Sequence, residues 1–381
     1  MPPSLRCTGL TLLLALLCVA GDGCAGDGRK GTKNDDEPSA SASDASAHDA
    51  AASPPPDARV ERVDAASADG TSRDAALADA ALPHDAATSG DAGAPASAPP
   101  EGLGSWARGT LIPTARTELA VALLDGKIYV AGGYGGLTAF EAYDPATDQW
   151  EKLKPLPMGR EHPSLAALDG IVYFTGGNGS ETYAYDPKAA TWTPRKSLLF
   201  ARYAAAAVAL DGAIYLLGGT GPSAEVVQKY DPKADTWTAR ASLSMLRDHI
   251  AAVALDGKIY ALGGRPGRGA VYDSVEIYDP VADRFDPGPK MLEGRSGFGA
   301  AVVNGKIYVA GGEVLVEPFS VRDTAEGLDP VTGVWTFKAK LPTPLHGTGA
   351  VGVGGRMFLF GGATMPASAT VRAGGVNILT P

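Results

Sequence analysis

Five arginines recur at one position of an internal repeat, nine residues before a two-residue turn motif. They are Arg116, Arg160, Arg202, Arg247 and Arg295, and Leu345 takes the sixth place. A guanidinium group binds a carboxylate through two parallel hydrogen bonds, so a ring of arginines would suit acidic peptides or acidic sugars. The alternative is that each arginine bonds to carbonyl groups of the adjoining repeat and is a fixed part of the fold.

Three histidines stand close to these positions. His162 and His249 lie two residues after an arginine, and His346 lies one residue after Leu345. Three imidazoles could in principle hold a metal ion. They fall in alternate repeats and at different offsets, however, so we expect them to lie far apart. The sequence therefore predicts neither a metal site nor any other cofactor.

No set of catalytic residues is recognisable. All three cysteines, Cys7, Cys18 and Cys24, lie in the first 24 residues, which excludes thiolate chemistry from the rest of the chain. The stretch from Gly132 to Gly136 is glycine-rich, but it closes a predicted strand, whereas a phosphate-binding loop opens a helix. We therefore predict no catalytic residue.

The elements that position these side chains are marked by paired glycines, each following an apolar stretch. The pairs are spaced by 44, 42, 45, 48 and 50 residues. Periods of this length are typical of stacked supersecondary units. The pairs are Gly132 and Gly133, Gly176 and Gly177, Gly218 and Gly219, Gly263 and Gly264, Gly311 and Gly312, and Gly361 and Gly362.

Each repeat is predicted to form four short β-strands. Asp-Gly, Asn-Gly or Gly-Gly precedes each glycine pair by about six residues, and such dipeptides favour tight hairpins because both residues adopt positive φ. A Tyr-Asp-Pro or Leu-Asp-Pro motif follows in five repeats and ends the third strand. The fourth strand carries an aromatic residue, which is Phe285 in one repeat and otherwise Trp150, Trp192, Trp237 and Trp335.

This succession of Gly-Gly, Tyr and Trp resembles the kelch motif, and it covers residues 101–381. The resemblance implies an all-β fold, a six-bladed propeller of four-stranded antiparallel blades around a central channel. The paired glycines and the tryptophans would then be structural. Because the sixth repeat lacks a tryptophan strand, we expect an N-terminal strand around Trp106 to close the last blade, beside a third strand within residues 371–379.

One face of such a propeller gathers the candidate ligand residues. The linkers that lead into each first strand and the loops between second and third strands lie on the same face, which we call the mouth face. The arginine and histidine positions belong to it. Its loops add Tyr134, Asn178, Arg265 and Arg268 as further candidates.

The resemblance also brings enzymes into consideration. Copper radical oxidases of this kind need a cysteine cross-linked to a tyrosine, and no cysteine follows residue 24. Some bacterial exported kelch propellers are sialic-acid epimerases. The Arg-acid-His sequences at residues 160–162 and 247–249 could in outline transfer protons at a sugar. A propeller that binds or isomerises acidic sugars is therefore the alternative function.

The first hundred residues differ in kind from the rest. Residues 1–24 are typical of an export signal, since Arg6 precedes an apolar run too short to anchor in a bilayer. Cleavage after Ala20 is one expectation, and lipidation at Cys24 is the other. Residues 25–100 carry 14 acidic and 6 basic side chains and no aromatic residue, a composition that predicts a disordered tether.

Charge and composition together favour a binding function. Residues 101–381 carry 28 acidic and 26 basic side chains, a balance that argues against nucleic-acid binding. We predict an exported, non-catalytic scaffold, periplasmic, on the cell surface or extracellular, whose mouth face binds a protein or an envelope glycan. Contact with a membrane is expected only through a lipid anchor at Cys24.

Overall fold

A computed structural model describes residues 102–368 and 374–381, and these form an all-β propeller. Six four-stranded antiparallel sheets make up the blades, as the sequence predicts. The predicted signal, the predicted tether and Cys24 lie outside the described residues. Within the described part of the chain, no helix is long and apolar enough to cross a membrane.

The strands follow one another from the innermost to the outermost position of each blade. Blades 1 to 3 contain β2 (Ala120–Leu124), β3 (Lys127–Ala131), β4 (Phe140–Asp144) and β5 (Gln149–Lys152); β6 (Pro163–Leu168), β7 (Ile171–Gly176), β8 (Thr182–Asp186) and β9 (Thr191–Arg195); and β10 (Ala206–Leu210), β11 (Ala213–Leu217), β12 (Val226–Asp231) and β13 (Thr236–Ser242).

The second half of the propeller repeats this order, with one added hairpin. Blades 4 to 6 contain β14 (Ala251–Leu255), β15 (Lys258–Leu262), β16 (Val275–Asp279) and β17 (Arg284–Gly288); β18 (Gly299–Val303), β19 (Lys306–Ala310), β22 (Ala325–Asp329) and β23 (Val334–Lys338); and β24 (Gly349–Val353), β25 (Arg356–Phe360), β26 (Val376–Thr380) and β1 (Ser105–Gly109). The hairpin β20 (Glu313–Val314) and β21 (Ser320–Val321) stands in the fifth blade's loop.

The tight turns between first and second strands form where the sequence predicts them. Asp125 and Gly126 have φ values of 48° and 78°, and the other turns show the same pair of positive angles. Both central residues of this turn need that left-handed conformation. These turns lie on the opposite side of the disc from the mouth face, together with the turns between third and fourth strands.

The hydrophobic core lies between adjacent blades. Phe140 of blade 1 meets Tyr185 of blade 2 edge to face, with ring centroids 4.9 Å apart. Tyr215 of blade 3 and Tyr278 of blade 4 have ring centroids 5.8 Å apart. Because neighbouring blades cover both faces of the inner strands, the sequences of these strands are apolar at successive positions and do not alternate with polar residues.

The tryptophans tie each outer strand to the blade before it. Every indole N–H donates to a carbonyl one or two residues beyond the outer strand of the preceding blade. The pairs are Trp106 with Ala339, Trp150 with Thr110, Trp192 with Lys154, Trp237 with Lys196 and Trp335 with Pro289, at 2.7 to 3.2 Å. Phe285 cannot make this bond.

The paired glycines lie where neighbouring blades approach most closely. A Cβ on Gly132 would lie 2.8 Å from the carbonyl oxygen of Arg160 in the next blade. The Gly133 N–H donates to that same oxygen at 3.1 Å. A side chain at the first glycine would separate the blades and break this bond.

The last blade closes through the N-terminal strand, as predicted. β1 pairs antiparallel with β26, and Trp106 lies opposite Leu379. The third strand lies at Val376–Thr380, at the end of the predicted stretch. The ring of blades therefore has no open sheet edge at its junction.

Candidate functional site

Four of the five recurring arginines are buried inside their own blades. Arg116, Arg202, Arg247 and Arg295 each expose no more than 1% of their surface. Three of them pair with a carboxylate on the third strand of the same blade. The pairs are Arg116 with Glu141 at 2.5 Å, Arg247 with Glu276 at 2.8 Å and Arg295 with Glu326 at 2.5 Å.

The remaining two arginines have different partners. Arg202 forms no ion pair with any described carboxylate and donates instead to backbone carbonyls, including that of Pro222 at 2.7 Å. Burial lowers its pKa to about 10. Arg160 is partly exposed and pairs with Glu181. The idea of an arginine ring that faces a ligand therefore does not fit the four buried guanidinium groups. They are fixed parts of the fold, but they bond within their own blades and not, as the alternative expected, to carbonyls of the adjoining repeat.

A closed ring of backbone hydrogen bonds lies at the centre of the channel, two residues beyond each arginine position. Each N–H in this ring donates to the carbonyl of the equivalent residue in the preceding blade, at 2.6 to 3.3 Å. We call it the central ring, and it consists of Glu118, His162, Ala204, His249, Gly297 and Gly347.

All six residues of the central ring have φ between 49° and 66°. Residues other than glycine rarely adopt this left-handed backbone conformation. Blades 3, 5 and 6 place Ala or Gly there, whereas blades 1, 2 and 4 place Glu118, His162 and His249. These three large side chains occupy the axis of the propeller at some conformational cost.

The expectation that the histidines lie far apart is wrong. The ring centroids of His162 and His249 are 4.9 Å apart. Glu118 stands between His162 and His346, with its two carboxylate oxygens 3.3 Å and 3.5 Å from their nearest ring nitrogens. The central ring is so narrow that side chains from alternate blades meet across it.

Four buried side chains extend this cluster towards the mouth. His249 Nδ1 lies 2.5 Å from Asp248, and Arg265 lies 3.4 Å from the same carboxylate. Arg265 also donates to Glu313 at 2.7 Å, and Glu313 lies 3.3 Å from Nδ1 of His346. Together with Glu118 and His162, these groups form a closed circuit of acids and bases, which we call the axial cluster.

The protonation of the axial cluster follows from burial and from its acids. Burial would raise the pKa of Glu118, but the imidazoles of His162, His346 and His249 outweigh it and lower the pKa to about 2. Burial lowers the pKa of His162 to about 4, against the attraction of Glu118. Burial also opposes protonation of His346, yet Glu118 and Glu313 raise its pKa above the ordinary value.

The axial cluster forms the lower wall of a cavity of about 350 Å³ on the mouth face. Tyr134 and Arg268 stand at its exposed rim, and Tyr203 packs against His162 with tilted rings whose centroids are 4.2 Å apart. Asn178 is exposed nearby, and its amide lies 3.4 Å from Glu161. Arg265, predicted as a loop residue that faces the ligand, is buried within the cluster.

Sequence reasoning missed Glu118, Tyr203 and Glu313 as site residues. A signal for Glu118 was present, because the position two residues beyond the arginine reads Glu, His, Ala, His, Gly and Gly along the six repeats. When the residue type varies at one position of a regular repeat, the fold does not require a particular side chain there. Such a position is therefore a candidate for function.

Comparisons with known proteins agree with this architecture. The kelch motif family matches residues 115–157, 201–244, 246–292 and 294–342, which are blades 1, 3, 4 and 5. A solved structure described as "Structure of YjhT" superposes with a TM-score of 0.62 and 16% sequence identity, covering 71% of this chain and 99% of that chain. At this identity the likeness shows the fold alone. No curated protein matches the chain.

Proposed function

We propose that this chain, which is a kelch-repeat β-propeller protein, is an exported binding scaffold whose mouth face engages a protein partner. The single observation that carries the proposal is the distribution of exposed apolar side chains. Among the described residues, thirteen large hydrophobic side chains are exposed, and nine of them stand on linkers or loops of the mouth face. The nine are Leu111, Tyr134, Leu199, Met245, Leu246, Leu292, Val316, Phe319 and Met365.

The mouth face thus carries most of the exposed apolar side chains of the described residues. Exposed apolar patches with polar surroundings are typical of protein contact sites. Rigid scaffolds commonly carry such sites on their loops. Phe319 and Val316 project from the fifth blade's hairpin, 55% and 37% exposed, while Leu246 in the linker before blade 4 is 54% exposed.

The test compares the mouth face with the opposite face in the full-length chain. Leu246→Asp combined with Phe319→Asp should abolish cross-linking to the partner in the exported fraction of the native cell. The control is Val281→Asp combined with Val331→Asp, which changes two valines that are 92% and 93% exposed on the opposite face. Equal capture by both double variants would overturn the proposal.

The second candidate function is recognition of a small acidic sugar in the cavity. It is favoured by the aromatic rim of Tyr134 and Tyr203 above several buried polar groups. If the cavity binds such a sugar, a sialic or uronic acid should raise the melting temperature of the protein. The Arg268→Ala variant should lose that rise. No shift across such a panel would remove this alternative and leave the protein partner.

A further inference from the structure

We propose that Glu118, His162 and His249 form a binding site for a divalent transition-metal cation such as Zn²⁺. This inference goes beyond the binding scaffold and does not depend on it. One carboxylate oxygen and one nitrogen from each imidazole lie within 4.8 Å of one another on the channel axis. Two imidazoles and a carboxylate are a donor set that suits Zn²⁺, Co²⁺ and Fe²⁺.

The separation of the donor atoms fits a metal ion. Bonds of about 2.0–2.2 Å at tetrahedral angles place neighbouring donors about 3.3 Å apart. Glu118 Oε2 and His162 Nε2 are 3.3 Å apart. The third donor, from His249, lies within 4.8 Å of both, and binding a shared metal ion would draw it closer to them.

Side chains outside the donor set hold two of the ligands in orientation. Asp248 accepts from Nδ1 of His249 at 2.5 Å, which leaves Nε2 as the nitrogen that can bind a metal. Asp248 is itself fixed by the Gly267 N–H at 2.7 Å. His346 lies against the second carboxylate oxygen of Glu118. Metal-binding histidines are typically supported by such a carboxylate.

The backbone gives an independent reason to seek a function for these three side chains. Ala204, Gly297 and Gly347 show that the central ring closes without a large side chain. Glu118, His162 and His249 nevertheless adopt positive φ there. The Nδ1 atom of His162 is also buried without a hydrogen-bond partner among the described residues. Closure of the central ring therefore does not explain why these three positions carry large polar side chains.

The surroundings favour a cation. Asp248 and Glu313 are buried, and Glu118 is 11% exposed, so three largely enclosed carboxylates enter the axial cluster, against the single buried guanidinium of Arg265. Three protein ligands leave at least one coordination position unfilled by them. Because the same residues line the mouth cavity, an oxygen or nitrogen donor of a bound partner could complete the coordination.

The experiment is a calorimetric titration of the chelator-treated, full-length chain with Zn²⁺. We expect one Zn²⁺ per chain for the wild type. Glu118→Gly and His162→Gly should each abolish stoichiometric binding, and glycine is compatible with the central ring because blades 5 and 6 already use it. Asp248→Asn should weaken binding about 10–100-fold, as loss of a supporting carboxylate does. Circular dichroism checks that each variant is folded.

The matched control removes histidines outside the site. His48→Gly combined with His84→Gly should bind Zn²⁺ like the wild type. Co²⁺ substitution of the wild type provides a second readout, with a visible spectrum free of the thiolate band that Cys7, Cys18 or Cys24 would produce. Absence of stoichiometric Zn²⁺ binding, unchanged binding in the two glycine variants, or a thiolate band would each overturn the proposal.

Discussion

The arginine positions and the central ring lie two residues apart in every repeat, yet they behave in opposite ways. Arg116, Arg247 and Arg295 are identical in type, burial and partner, each paired with a glutamate of its own blade. The central ring keeps one backbone conformation but varies its side chains. In this propeller, the residues that recur from blade to blade, such as the arginines, stabilise the fold. The positions that keep one backbone conformation but differ in side chain, as in the central ring, form the candidate site.

The largest expected effect belongs to the arginine positions. Arg295→Ala leaves Glu326 charged, buried and unpaired, and loss of one partner from a buried ion pair costs about 3–5 kcal/mol. Denaturant unfolding measures this loss. Blade 6 supplies the control, because Leu345 and Asn377 take the two places there. The double variant Arg295→Leu, Glu326→Asn should therefore lose less stability than the single one. Equal losses of stability in the single and double variants would show that the unpaired Glu326 charge is not the cause.

Substitutions in the central ring should leave the chain folded, but they should change how its folding stability depends on pH. The pKa of His162 is about 4 in the folded chain, against about 6.5 when unfolded. The unfolded chain thus binds the extra proton, and folding stability falls as the pH drops from 6.5 towards 4. The contribution of this group is about 3 kcal/mol.

His162→Gly should remove that contribution. Chelator is present throughout, and unfolding free energies at pH 6.5 and pH 4 are compared between the variant and the wild type. Subtracting the two pH dependences cancels the titration that both proteins share. A variant that loses as much stability on acidification as the wild type would contradict a neutral, buried His162.

The smallest effect is expected at the turns between third and fourth strands. Tyr278 donates to Asp283 at 2.6 Å, so Tyr278→Phe should cost about 1 kcal/mol. In blade 2, Ala190 stands where blades 1, 3 and 4 have this aspartate, and Tyr185 has no such partner among the described residues. Tyr185→Phe is thus a matched control that should change thermal stability less. A larger loss of thermal stability in Tyr185→Phe than in Tyr278→Phe would show that the hydrogen bond to Asp283 does not contribute to stability.

The sequence predicts the fold well because each blade repeats the same local chemistry. The Asp-Gly turns, the glycine pairs and the aromatic residues each specify a contact that recurs, so six copies support one interpretation. Even the closing strand around Trp106 follows, since only the sixth repeat lacks an aromatic fourth strand of its own.

The candidate site is less predictable because it depends on distances across the channel. Offsets along the chain place His162 and His249 in alternate blades, and they do not reveal how narrow the central ring is. The arginines gave the opposite error. Their position near the channel suggested exposure, but in three of the five a glutamate on the third strand of the same blade pairs with the buried guanidinium, as Glu276 does with Arg247.

The pairing of β1 with β26 has a consequence for the order of assembly. The first strand of the propeller to be synthesised hydrogen-bonds to the last, with Ser105 opposite Thr380. Contacts between such distant parts of a chain form late, after local hairpins. Blades 1 to 5 can thus form while synthesis continues, whereas the sixth must wait for the final strand. Until then β1 is an unpaired strand, able to associate with another chain.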